Sequence, residues 1–118
     1  MKDLAPNIMR QRLLIEGFYD IHVDEEVIKQ FYKTITAALN LTTYGLPTIH
    51  ATSGQGKEIN QGYDAFVPLI DSGIYLGVWV NQKFLSTIIY TCKEFDEEKA
   101  VEVTKNFWKI KETATHSF

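Results

Sequence analysis

Cysteine is almost missing from this chain of 118 residues: Cys92 is the only one. A lone thiol closes no disulfide within the chain, so the cross-links that staple small secreted domains are excluded and a reducing, cytoplasmic home is the expectation. Histidine is scarce too. His22, His50 and His116 are scattered without metal-ligand spacing, and no metal site is expected. Positive charge is not in surplus: 12 Lys and Arg stand against 15 Asp and Glu, for a net charge of −3. The two signs are interspersed, so neither a nucleic-acid footprint nor a membrane-binding basic helix is expected. No apolar run approaches the roughly 20 residues that a membrane-spanning helix needs. Residues 1–6 lack the apolar stretch of a secretory signal, which makes the glycosylation sequon Asn40, Leu41, Thr42 a chance match.

What the chain does have is a hydrophobic content of 45%, ordinary for a folded globular protein and enough for one core. A single domain over residues 1–118 is expected. The stretch 64–92 holds two apolar, β-branched and aromatic runs joined by Asn81, Gln82 and Lys83, and a break at Asp71, Ser72 and Gly73 precedes the first. That is a hairpin with a kinked lead-in. Further strands are predicted near 12–19, 48–51 and 63–70, with the hairpin strands at 74–80 and 84–91. The apolar run 12–19 suggests a central strand. Asp24 and Asp96 read as helix N-caps, each followed by two glutamates in the first turn, where the helix dipole favours them. The first helix runs to about residue 39 with Ile28, Phe31, Ile35, Ala38 and Leu39 on one face; the second buries Ala100, Val103, Phe107 and Ile110. A short helix after Pro6 and a frayed tail over 112–118 complete the reading.

Residues 13–26 and 85–98 echo each other at a constant offset of 72. Two equivalent strand-helix units on one sheet make a two-layer α/β sandwich of the α+β type. On the middle strand Ile74, Leu76, Val78 and Val80 share one face and Tyr75, Gly77 and Trp79 the other. The first face suits helices. The second suits a partner subunit or a flat ligand.

Ser72 is the residue of this stretch suited to covalent chemistry, since a hydroxyl between an acid and a glycine at a strand break is apt to be exposed and strained. The plainer reading of the same tripeptide is a turn. The loop 53–62 has the glycines and lysine of half a phosphate loop, but Ala51 stands where its first glycine belongs and Glu58 where the magnesium-binding hydroxyl belongs, so triphosphate binding is excluded. Trp79 and Tyr75 are candidates to stack a flat ligand or meet a cation by cation-π attraction. Glu16, Glu58, Asp64 and Asp71 are candidates to complement that positive charge.

Three pieces of the chain, RLLIEGFY with DEEVI, the Asp71-Ser72 junction before the strand carrying Trp79, and IIYTC with FDEEKA, resemble the small prokaryotic S-adenosylmethionine decarboxylase family. The resemblance covers most of the chain outside 53–62. It implies an antiparallel sheet with two helices on one face and a homodimer. It also implies cleavage before Ser72, which turns that serine into a pyruvoyl group serving as electron sink for decarboxylation in polyamine (spermidine) biosynthesis. By position, Asp71 stands where the family has glutamate, and Cys92, at the family's spacing after the reactive serine, is the proton donor to the product. Three positions depart from the family. Gly77 replaces the histidine that completes ester breakdown, Asp64 replaces the serine that assists processing, and Gly73 replaces a further histidine. Asp64 then becomes a candidate base, and His50 a candidate substitute for the missing imidazole. Two other readings stand beside the decarboxylase: an uncleaved homologue that binds S-adenosylmethionine for other chemistry, such as a lyase, and a non-catalytic binding or regulatory subunit.

Overall fold

In a computed structural model that describes residues 1–52, 54 and 56–118, the backbone forms six strands and two α-helices. Ser53 and Gln55, part of the expected 53–62 loop, lie outside the described residues. The order along the chain is β1 (Gln11–Phe18), α1 (Glu25–Ala38), β2 (Thr48–Ala51), β3 (Gly62–Leu69), β4 (Ser72–Trp79), β5 (Phe84–Thr91), α2 (Glu97–Trp108) and β6 (Thr113–Ser117). All neighbours pair antiparallel, in the sheet order β2-β3-β4-β5-β1-β6.

Strand alternation decides which face meets the helices. Leu13, Ile15, Val67, Leu69, Ile74, Leu76, Leu85 and Ile89 are buried on one side of the sheet, against Ile28, Phe31 and Ile35 of α1 and Ala100 and Trp108 of α2. Both helices start as their sequences predict. The Asp24 carboxylate accepts from the Val27 N–H at 2.9 Å, and that of Asp96 accepts from the Lys99 N–H at 3.1 Å, each satisfying an orphan donor of the first turn. The helices begin 72 residues apart, and their strands β1 and β5 are neighbours, so the sequence echo is a pair of adjacent strand-helix units. Trp108 seals the helix layer, fully buried, with ring centroids 5.3 Å from Phe31 and Phe107 and 5.8 Å from Tyr19.

Several expectations are corrected. The tail is not frayed: residues 113–117 pair with β1, so the first strand lies inside the sheet but one place from its edge. The lead-in holds a turn, closed by Ile8 N–H to the Ala5 carbonyl, and no helix follows Pro6. Val80 lies beyond the end of β4 and is exposed. Ile110 is buried past the end of α2, where Lys109 adopts a left-handed conformation that ends the helix. No described helix is long and apolar enough to cross a membrane.

The other side of the sheet carries neither helix. Phe18, Phe66, Tyr75 and Tyr90 stand on it with relative exposures of 66, 45, 36 and 39%. Together they give the helix-free face an exposed aromatic surface.

The Tyr32 hydroxyl donates to the Ile74 carbonyl at 3.3 Å, and burial raises its pKa well above the usual tyrosine range. Because the fold favours the neutral phenol, this stabilisation is complete below the unfolded value of about 10 and falls away as pH rises above it. Urea melts between pH 9 and 11 should show falling stability, and Tyr32→Phe should make that fall shallower. Truncation after residue 111 should lower the melting temperature and promote self-association, because it leaves β1 as an uncovered edge; an unchanged melt would mean that β6 contributes nothing.

Candidate active site

β3 and β4 are joined by a two-residue turn, Ile70 and Asp71, because Leu69 already pairs with Ser72. The turn is strained. Asp71 has φ 76° and Ser72 φ 143°, conformations that non-glycine residues adopt only when their surroundings enforce them. Gly73 follows with no room for a side chain, since a Cβ there would fall 2.3 Å from the Phe66 ring. On the other flank Ser72 pairs with Thr91, the last residue of β5. The next backbone N–H, that of Cys92, donates to the Asp71 carbonyl at 2.8 Å. The Cys92 Sγ lies 3.5 Å from the Ser72 Oγ. Sheet register thus gathers a hydroxyl, a thiol and a polarised, strained peptide carbonyl at one end of β4.

A second group lies on the helix-free face. The strand registers align His50, Asp64, Gly77, Ser86 and Glu16 in a single row across β2, β3, β4, β5 and β1. Apolar and aromatic side chains flank this polar row: Phe66, Tyr75 and Ile88 on one side, Trp79, Phe84 and Phe18 on the other. The Tyr75 hydroxyl donates to the Asp64 Oδ1 at 3.1 Å, and the Trp79 Nε1 to the Asn60 Oδ1 at 3.0 Å. Partial burial raises the Tyr75 pKa, and the hydrogen bond and negative charge of Asp64 add to the effect, so the phenol is neutral at ordinary pH. Asn60, Tyr63, Asp64, Gly77, Val78 and Trp79 line a recess of about 250 Å³. A Cβ at Gly77 would approach the Tyr75 hydroxyl to 2.7 Å and the Trp79 ring to 3.2 Å. A side chain at 77 would therefore have to displace the Tyr75 hydroxyl, the outer end of the tyrosine side chain.

The candidates from sequence divide between two places. Asp71, Ser72 and Cys92 are together at the strand end; Asp64, Tyr75, Trp79, His50 and Glu16 surround the row through Gly77. Five residues of extended strand, roughly 16 Å, separate Ser72 from Gly77. Within one chain Asp64 does not reach Ser72, and His50 stands beside Asp64 rather than beside the serine. Ser86 and Asn60 escaped the sequence reading. Ser86 interrupts an apolar strand without any motif, and only the pairing of β5 with β1 and β4 reveals its place in the row.

No curated protein matches the chain. Among solved structures, the adenosylmethionine decarboxylase from Aquifex aeolicus VF5 superposes with a TM-score of 0.72 over 94% of this chain and 89% of that one, at 17% identity. At that identity the likeness is one of fold. The sequence profile of the family described as S-adenosylmethionine decarboxylase matches residues 14–118. Matched from β1 to its last residue, the chain belongs to the S-adenosylmethionine decarboxylase family.

Proposed function

We propose that the chain is a self-processing, pyruvoyl-dependent decarboxylase of S-adenosylmethionine or a related amino acid, working in the cytoplasm in polyamine biosynthesis. The observation that carries this reading is the hydrogen bond from the Cys92 N–H to the Asp71 carbonyl at a strained turn. Self-cleavage begins when the Ser72 Oγ adds to that carbonyl carbon, and a donor already seated on the carbonyl oxygen stabilises the charge that develops there. The C–N bond then breaks, the Oγ–C bond remains, and the hydroxyl proton ends on the Ser72 nitrogen, leaving an ester. Loss of the Cα proton of residue 72 expels the Asp71 carboxylate. Water then replaces the nitrogen, which departs as ammonia, and a ketone is left at the new N-terminus. The strain at Asp71 and Ser72 favours each step that releases the turn.

These residues fit a pyruvoyl group derived from Ser72, and that group supplies an electron sink when carbon dioxide departs. The Cys92 thiol, adjacent to position 72, is placed to return a proton to the product. On the open face, Trp79 and Tyr75 offer ring surface to an adenine, while Glu16 and Asp64 offer negative charge to a sulfonium, with His50 at the end of the row. Since these residues lie roughly 16 Å along β4 from the Ser72 of their own chain, recognition and cleavage groups meet only if two chains associate. A homodimer formed by the aromatic faces accounts for the exposed Phe18, Phe66 and Tyr90.

Intact mass of freshly purified chain tests the reading. Two fragments meeting at the 71/72 bond are expected, the later one blocked at its N-terminus, with Ser72→Ala remaining in one piece and losing all decarboxylation. A full-length wild-type mass together with retained binding of S-adenosylmethionine would replace this reading with that of an uncleaved homologue.

A further inference from the structure

We infer that the hollow between α1 and the segment leading into β2 is a binding site for a small carboxylate with an apolar body, apart from the Ser72 turn and independent of the decarboxylase reading. Two helices cover a sheet six strands wide, and a cavity of about 410 Å³ is left between α1 and the β2 side of the sheet. Sites for small molecules typically enclose roughly 300–1,000 Å³. The floor is apolar and closed. Val67 and Tyr32 are 1 and 2% exposed, with half-buried Ile49 beside them. Its polar atoms are already engaged: the Tyr32 hydroxyl donates to the Ile74 carbonyl at 3.3 Å, and the Thr36 hydroxyl donates to the Tyr32 carbonyl at 2.6 Å. A ligand therefore meets apolar surface there. The outer wall, Thr43 to Pro47, is pinned to β3 and the turn after it. The Tyr44 N–H donates to the Pro68 carbonyl and the Ile70 N–H to the Thr42 carbonyl, each at 2.9 Å, so the hollow is preformed.

Charge at the mouth selects the ligand. Lys29 and Lys33, one turn apart on α1, both border the hollow. Among the described residues neither pairs with a carboxylate, although the chain as a whole carries a net charge of −3. Like charges at i and i+4 on a helix repel, and an anion seated between them removes that repulsion. Lys33 has no acid one turn away on either side, since its helical neighbours are Lys29, Gln30, Thr36 and Ala37. Glu25, one turn before Lys29, also lines the hollow, so the surplus is one positive charge, the complement of a single carboxylate. Leu46, 89% exposed at the rim, is left for the apolar body of the ligand to cover.

Octanoate is the probe, followed by amide NMR of the Ser72→Ala chain, which lacks the hydroxyl that begins cleavage and so keeps binding apart from processing. Saturable shifts are expected at Lys29, Lys33, Gly45 and Ile49. Octanol, the neutral analogue, should bind about tenfold more weakly because it forfeits the charge-assisted contact. Lys29→Gln combined with Lys33→Gln should weaken octanoate by the same factor, and Lys111→Gln, at an exposed lysine outside the hollow, should not. Shifts centred on Phe18, Phe66, Tyr75 and Tyr90 of the helix-free face, equal affinity for octanol, or unchanged affinity in the double variant would overturn the inference. So would the absence of any saturable shift up to about 10 mM. Shifts across residues 29–49 that grow with protein concentration alone would mean that a second copy fills the hollow, and they too would overturn it.

Discussion

One backbone hydrogen bond ties the candidate site to the fold: the Cys92 N–H reaches across from the end of β5 to the Asp71 carbonyl in the β3-β4 turn. It exists only because β4 and β5 pair with Ser72 opposite Thr91. A slip of one residue would turn Leu76 and Ile74 out of the core, so burial of the helix-facing side enforces the register that positions this contact. The strain at Asp71 and Ser72 is held in the same way. Leu69 and Thr91, both buried, clamp the two strand ends around Ser72, and a turn that would otherwise relax is over-determined by its neighbours.

The sheet's two faces divide the labour. One is a closed apolar layer under α1 and α2, and it carries the stability. The other is aromatic with a polar row through its middle, and the helices leave it open. The fold of the Aquifex enzyme persists here at 17% identity because that first face demands only apolar side chains of fitting volume. On the second face position 77 is glycine, with Tyr75 and Asp64 beside it.

Much of the fold was legible in the sequence, since it rests on local signals. Asp24 and Asp96 with their paired glutamates announced both helices, and period-two alternation assigned Leu76 and Tyr75 to opposite faces. The last strand was not legible. Thr113–Ser117 has little apolar content, and it becomes a strand only because β1 offers an open edge, a tertiary fact with no local trace. The lead-in helix failed for the converse reason, as residues 6–9 are exposed and bury no apolar face that could hold a single turn. For the site, Ser72 and Cys92, linked by the family resemblance, lie side by side, whereas Asp64, Tyr75 and Glu16 belong to another region. Their alignment with Ser86 depends on which strands are neighbours, and β1 lies beside β5, far away in sequence.

The central claim is that the strained Asp71-Ser72 bond, polarised by Cys92, breaks itself and leaves a ketone. Borohydride reduction of the purified chain followed by mass analysis measures that ketone directly. The account predicts one reducible carbonyl per chain, at the first residue of a fragment beginning at position 72, and none in Ser72→Ala. An uncleaved wild-type chain with no reducible carbonyl would contradict it.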